Sequence, residues 1–275
     1  MYKLLILIKA SRPFYWLIQP LIFTVCFLSS GADFNWLSIS QLILLSFPLN
    51  LVIYGFNDIY DFESDQINPR KKIINGIVLK QENRRLIKKI AYIFIAILLI
   101  SSIITLNIEN IIFMIILLFF IYFYSVPPIR FKERPPLDAL ANIFIYILPP
   151  AFLGYSFGAS ILDFNYKIYF VALAVAAFFI FSTIIDYTPD KKADDKTFSV
   201  IHGKRTAALT SFITTLLIYL LSNFNTPLIN YYLLFCLTLY LIIFIKPNEK
   251  LANIFFKLIY FGFYLVSFYF LYLNI

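Results

Sequence analysis

The chain has 275 residues, 61% of them apolar or aromatic and 14% charged, with a formal net charge of +8 and a mean hydropathy of +0.82. Soluble domains carry roughly 45–50% apolar and about 25% charged residues, so a soluble enzyme, a disordered protein and a protein held by one anchor are excluded. A bilayer span takes about 20 apolar residues, which leaves room for nine spans and their loops.

Apolar runs and their breakers predict helices at about 13–30, 41–60, 89–106, 110–126, 139–158, 166–186, 206–222, 227–245 and 252–273. The runs are continuous rather than alternating, which selects helices over a barrel. The expected fold is an all-α polytopic membrane protein read as a single domain over 1–275. It has about nine transmembrane helices, in two four-helix halves around a central cavity plus a ninth helix. The opening Met-Tyr-Lys-Leu-Leu-Ile lacks a small-residue cleavage site, so the first run reads as a retained span. Cys26 and Cys236 lie inside apolar runs and read as small core residues. The lone His202 excludes a multi-histidine metal centre.

Connections alternate between short, nearly uncharged ones (31–40, 107–109, 159–165, 223–226) and long or basic ones. Every Lys and Arg except Lys167 falls in the leading segment or beside the even-numbered connections. The positive-inside rule therefore predicts a cytoplasmic N-terminus and cytoplasmic even-numbered loops. The basic charge is a topology and lipid-surface signal, and nucleic acid is not an expected partner.

Nine of the fifteen acids follow the second and sixth predicted helices. The first cluster is Asn57-Asp58-Ile-Tyr-Asp61-Phe-Glu63-Ser-Asp65, and the second is Asp186-Tyr-Thr-Pro-Asp190-Lys-Lys-Ala-Asp194-Asp195. Charge is costly at membrane depth and positive-inside topology asks for no acids, so the clusters read as a functional site. Asn57, Asp61 and Asp65 are spaced i, i+4, i+8, one face if the helix continues, and Asp186 and Asp190 share the four-residue step. Such oxygen ligands suit Mg²⁺, and with the cation present a carboxylate cluster can take a diphosphate. Arg12, Arg70, Lys71, Lys72, Arg130, Lys132, Lys191 and Lys192 then read as phosphate partners, alongside their reading as a topology flank. Asp61 to Asp186 and Asp65 to Asp190 are each 125 residues apart, which predicts a repeated site element.

These residues resemble the UbiA superfamily of intramembrane prenyltransferases. Asn57, Asp58, Asp61 and Asp65 match its NDxxDxxxD motif, Asp186 and Asp190 its DxxxD motif, and 197–203 its TFAVxLG-like segment. Arg12-Pro13 and Tyr124-Ser125-Val-Pro-Pro-Ile-Arg130-Phe-Lys132 resemble further family segments. Within the superfamily, 11–16, 54–58, 68–71 and 131–138 with Asn142 and Pro149 are most similar to the lycopene elongase branch that makes C50 carotenoids. Two positions depart from the pattern. Asp194 stands where a Gly is usual, which should change the loop geometry, and Lys191 replaces a common Arg.

The resemblance implies an allylic prenyl diphosphate donor, a hydrophobic acceptor within the lipid bilayer, and Mg²⁺ as cofactor. The metal would be held by Asn57, Asp58, Asp61, Asp65, Asp186 and Asp190. The diphosphate would be held by Arg12, Arg70, Arg130, Lys132 and Lys191. Asp61, Asp65, Asp186 and Asp190 would be catalytic, with Tyr124 as the aromatic group facing the cation. Lycopene or another carotenoid is the expected acceptor, with an aromatic quinone precursor as the alternative. A cation-coupled transporter is the rival from another class. It would need acids near the bilayer middle and Gly/Pro-broken helices, whereas these acids sit at helix ends in a chain with seven glycines. A CDP-alcohol phosphotransferase would need an Asp-Gly pair, which does not occur.

Overall fold

A computed structural model describes residues 2–62 and 81–274. Glu63, Asp65, Arg70, Lys71 and Lys72 lie outside the described residues. The described chain is helical without a strand, and each of the nine predicted apolar runs contains helix. Among the described residues, six helical segments are long and apolar enough to cross a membrane, with mean hydropathies of 1.5 to 2.3. The shorter Pro13–Ser29 and Lys167–Ser182 are also apolar helices.

The chain divides into two compact units, each described by itself. The first comprises Met1–Arg130 and Phe144–Phe164, the second Phe131–Ile143 and Asn165–Leu273. The four-helix halves expected from the sequence are therefore not the compact units, because most of the fifth predicted helix packs with the first unit.

In the first unit α1 (Tyr2–Ala10), α2 (Ile18–Ser29), α3 (Trp36–Leu44), α4 (Phe47–Tyr60), α5 (Gln81–Ile103) and α6 (Ile108–Ser125) follow in order. α7 (Leu137–Tyr146) starts in the second unit and ends in the first, and α8 (Leu148–Tyr155) belongs to the first. α1 is a helix that the apolar-run reading did not separate from the leading segment. Ile6 and Ala10 are buried with Leu51 and Ile87, while Leu4 and Leu5 stay exposed. Asn35 caps α3 by accepting from the backbone N–H groups of Leu37 and Ser38, and the Ser38 hydroxyl accepts in return from the Asn35 N–H. Such a box satisfies N–H groups that a helix start leaves orphaned.

Two predicted spans are broken. Pro48 in the first turn of α4 and Pro149-Pro150 in that of α8 cannot donate to the preceding turn and crowd its carbonyls. The breaks fall at Leu45–Ser46 and at Ile147. α8 lies close against α2, where a Cβ on Gly154 would collide with the Phe23 carbonyl oxygen. Asn110 on α6 donates to the Leu153 carbonyl at 3.2 Å and to the Ser156 hydroxyl at 3.0 Å, and takes Gln41 Nε2 of α3 at 2.8 Å. Buried amides bonded on this scale fasten helices that hydrophobicity alone does not drive together in lipid.

In the second unit α9 (Lys167–Ser182), α10 (Tyr187–Lys192), α11 (Phe198–His202), α12 (Lys204–Leu221), α13 (Pro227–Ile245) and α14 (Glu249–Asn274) complete the chain. Buried Ala172, Ala176 and Ala177 on α9 and Ala207, Ala208 and Ser211 on α12 allow close approach, and Ser211 donates to the Ala177 carbonyl at 2.7 Å. α14 is attached to α13 by Tyr232, whose hydroxyl donates to the Ile259 carbonyl at 2.8 Å. Phe256 of α14 stacks on Phe178 of α9 with centroids 4.8 Å apart. Cys26 and Cys236 are buried free thiols, as their apolar setting predicts.

Candidate active site

In the first unit the site grows from the end of α4. The helix stops at Tyr60, and Asp61 follows at φ −102°, ψ 16° with its N–H still donating to the Asn57 carbonyl. Asn57 Nδ2 donates to Asp61 Oδ2 at 2.6 Å. Arg12 Nη2 donates to Asn57 Oδ1 at 3.0 Å and to Asp58 Oδ1 at 2.9 Å, and Arg130 Nη2 stands 3.5 Å from Asp61 Oδ1. Asp58, Arg12, Asn57, Asp61 and Arg130 thus form one continuous polar chain. Burial alone would lower the Arg12 pKa, but Asp58, with Tyr54 and Tyr15, outweighs it and raises the pKa above the usual arginine value, so the guanidinium stays charged.

Both arginines pay for that reach in backbone conformation, with φ 50° at Arg12 and φ 48° at Arg130. Non-glycine residues in the left-handed region cost about 1–3 kcal/mol each and persist where the surroundings dictate them. Further along α4, Tyr54 lies beneath Arg12, whose guanidinium carbon is 4.3 Å from the ring centroid. Tyr54 meets Tyr15 with ring centroids 5.3 Å apart, and its hydroxyl is 3.0 Å from that of Tyr146. Sequence reading missed this tyrosine group. Tyr54 is one turn before Asp58 and Tyr15 three residues after Arg12, so two of the three carried a spacing signal. Tyr146 carried none, because its contact crosses 92 positions. Tyr124 is half-buried in the last turn of α6.

In the second unit α9 ends at Ser182, short of the predicted 186, and tight turns carry the chain to Asp186. Asp186 has φ −103°, ψ 12°, the conformation of Asp61, 125 residues earlier. Asp190 lies one turn on, in α10, with its N–H donating to the Asp186 carbonyl at 2.8 Å. Burial and the neighbouring Asp186 and Asp195 push the Asp190 carboxyl up to about 8, with Thr197 and Lys132 partly opposing. Thr197 donates to Asp190 Oδ2 at 3.2 Å. The 197–203 segment is held there by Ser199, which donates to the Thr183 carbonyl at 2.7 Å. Gly203, at φ 91°, then makes the link from α11 into α12. Lys191 is exposed, with Nζ 5.8 Å from the Tyr187 ring centroid. Glu249, at the start of α14, accepts from the Thr188 hydroxyl at 2.7 Å and from Lys204 at 3.1 Å, tying α10 to the last helix.

Asp194 has a backbone unusual for a residue with a side chain. It holds φ 60°, in the left-handed region. Asp tolerates this region through local hydrogen bonding, whereas a β-branched side chain does not. Asp194→Gly is expected to leave the melting midpoint unchanged or raised, and Asp194→Val to lower stability by about 1 kcal/mol or more. Thermal unfolding in detergent checks both, and equal midpoints would contradict the strain account.

Among the described residues no three His, Cys, Asp or Glu side chains gather into a metal cage. The donors nevertheless fit a hard cation, which takes one or two carboxylates and fills its shell with water and phosphate oxygen. Asp190 is the test. Its pKa is raised first by burial and then by the neighbouring Asp186 and Asp195, and a divalent ion at such a carboxylate would favour its charged form.

The chain is a polytopic helical membrane protein with one aspartate motif at a helix end in each of its two units. The chain belongs to the UbiA prenyltransferase family, whose model matches residues 18–270. It is 28% identical over 216 residues to the C(50) beta-cyclic carotenoids biosynthesis protein LbtBC of Dietzia sp., covering 77% of this chain and 50% of that protein. It is 32% identical over 155 residues to a lycopene elongase/hydratase of Corynebacterium glutamicum, covering 56% of this chain and 53% of the relative. The chain thus spans about half the length of these relatives. Among solved structures, a UbiA homolog from Archaeoglobus fulgidus bound to DMAPP and Mg²⁺ superposes with a TM-score of 0.65 at 22% identity, over 95% of this chain and 99% of that one. This likeness establishes the fold.

Proposed function

We propose that this protein transfers a prenyl group from an allylic prenyl diphosphate to a hydrophobic acceptor in the membrane, with lycopene or another carotenoid as acceptor. The observation that carries the reading is the paired geometry of Asp61 and Asp186, two motif aspartates with one backbone conformation, each followed by a further motif aspartate (Asp65 and Asp190) four residues on. The carotenoid-related relatives support the choice of acceptor.

In this reading Asn57, Asp61 and Asp65 of the first motif, and Asp186 and Asp190 of the second, are the residues that would hold Mg²⁺, and Asp58 serves by fixing Arg12. The cation, when bound, neutralises the diphosphate and draws off the charge that develops as the allylic C–O bond breaks. Arg70, Arg130, Lys132 and Lys191 bind diphosphate oxygens, and Arg12 keeps Asn57 turned toward Asp61. The aromatic face of Tyr124 stabilises the allylic cation and helps exclude water that would quench it. A hydrocarbon acceptor then attacks through its double bond and loses a proton. The N-terminus and both acid-rich loops face the cytoplasm, in keeping with the Lys and Arg distribution.

The test incubates membranes containing the protein with Mg²⁺, dimethylallyl and geranylgeranyl diphosphates, lycopene and aromatic quinone precursors, followed by mass spectrometry. A prenylated lycopene absent from Asp61→Ala membranes is expected, and chelation by EDTA abolishes it. A prenylated aromatic overturns the acceptor, and no Mg²⁺-dependent product from folded protein overturns the reading. Lys132→Ala is expected to raise the Michaelis constant for the diphosphate about tenfold, the scale of a lost charge-assisted hydrogen bond. An unchanged constant removes Lys132 from the diphosphate site.

A further inference from the structure

The last helix, α14, supplies no residue to the two aspartate motifs, yet its first residue reaches the second of them. Glu249 opens α14, and its Oε1 accepts from the Thr188 hydroxyl at 2.7 Å and from Lys204 Nζ at 3.1 Å. Thr188 stands between Asp186 and Asp190, in α10. Lys204 Nζ also lies 4.6 Å from the ring centroid of Tyr187, the residue next to Asp186. One carboxylate on α14 therefore holds two consecutive residues inside the second motif, Thr188 directly and Tyr187 through Lys204.

Three features set this link apart from an ordinary surface ion pair. First, α10 is six residues long and buries none of them, so no apolar face fixes how it lies. A helix that short is unstable alone, and its pose has to come from bonds along its edge. That pose decides where the Asp190 carboxyl points. Second, Lys204 is the first residue of α12, the helix end at which the dipole disfavours a cation. Its charge is accounted for by Glu249 and the Tyr187 ring rather than by α12. Third, α14 is secured to its neighbours without Glu249, by the Tyr232 bond to the Ile259 carbonyl and by Phe256 stacked on Phe178. Glu249 is thus spare for docking α14 and well placed for holding α10.

We infer that Glu249 is a positioning residue for the second aspartate motif. Through Thr188, and through Lys204 on Tyr187, it sets the pose in which Asp186 and Asp190 meet a divalent cation. Glu249 acts through α10 and not on the substrate. The inference rests on the prenyl-transfer reading for what the motif binds, and cation binding is therefore measured apart from turnover.

The experiment titrates Mg²⁺ into the full chain in detergent by calorimetry, without donor or acceptor, and then follows the Mg²⁺ dependence of turnover. Thr188→Val keeps the side-chain shape and removes the hydroxyl, whereas Thr188→Ser keeps the hydroxyl. Thr188→Val and Glu249→Ala are each expected to weaken Mg²⁺ binding about tenfold, the scale of a lost hydrogen bond to a charged group. Saturating Mg²⁺ should bring their turnover back to within about threefold of wild type, since the motif aspartates themselves are intact. Thr188→Ser is expected to bind as wild type does. Tyr232→Phe is the structural control, because it loosens α14 from α13 without touching α10. It should lower the unfolding midpoint with Mg²⁺ binding unmoved.

Wild-type Mg²⁺ binding in Thr188→Val and Glu249→Ala overturns the inference. An equal loss in Tyr232→Phe or Thr188→Ser also overturns it, since the link would then be general support of the fold. If Glu249→Ala does not fold, the exposed Thr188→Val decides alone. A wild type that binds Mg²⁺ but transfers no prenyl group overturns the functional reading and leaves the inference to the titration. A wild type that binds no Mg²⁺ overturns both.

Discussion

Asp61→Ala and Asp190→Ala are each expected to lower turnover by at least about a hundred- to a thousandfold, the scale set by removing one preorganised charge-stabilising group. The double variant is expected to be little worse than either single one, because groups that serve one transition state as a unit are not additive. Steady-state kinetics in detergent or membranes checks both statements, and near-wild-type turnover in either single variant rejects the assignment. The two substitutions should differ in stability, which separates function from folding. Asp61 takes Asn57 Nδ2 and stands against Arg130, so its loss removes bonds that hold the end of α4. Asp190 is held in a setting that opposes its charge, with the pKa raised from 3.8 to about 8. From about pH 3.8 to about 8 the unfolded chain releases this proton while the folded chain without a cation keeps it, so the group costs stability increasingly across that window and by its full amount above it. Replacing it with alanine should leave the melting midpoint unchanged or raised, most clearly at alkaline pH. A protein more stable and nearly inactive is the signature of a carboxylate placed for a ligand.

The positions of the helices were readable in the sequence because lipid leaves few alternatives. An apolar run of the right length must close its own hydrogen bonds, and all nine runs contain helix. Their interruptions were less readable. Pro48 and Pro149-Pro150 sit in runs whose hydropathy continues past them, and hydropathy does not register a missing N–H donor. The end of α9 moved from the predicted 186 to Ser182 for a tertiary reason. The Thr183 hydroxyl donates to the Ile180 carbonyl at 2.7 Å, while its backbone carbonyl is taken by Ser199. The motif acids announced themselves by charge and spacing, whereas Gln19 and Asn50 are neutral and embedded in apolar sequence. Only the burial of unbonded amide atoms, both of Gln19's and the Asn50 Oδ1, marks them.

The pairing of Arg12 with Asp58 carries the other large expected effect. Both side chains are largely withdrawn from solvent, at 13% and 0% exposure. Breaking such a pair from one side leaves an uncompensated buried charge and costs about 3–5 kcal/mol. Arg12→Met alone and Asp58→Leu alone are each expected to destabilise on that scale, read as a fall in the unfolding midpoint. Replacing both partners with apolar groups of similar size removes the orphaned charge, so Arg12→Met with Asp58→Leu should recover most of the lost stability. Turnover should not recover with it. Arg12 Nη2 also holds Asn57 Oδ1 at 3.0 Å, and Asn57 is the donor to Asp61 at 2.6 Å. Without the guanidinium the asparagine amide is free to turn, and the first motif loses the orientation of the oxygens proposed to hold the cation. A double variant that regains both stability and turnover would make the pair a strut and nothing more. One that regains stability alone makes it the part that aims Asn57, and accounts for an arginine held in a left-handed backbone where an unstrained residue would serve a strut equally well.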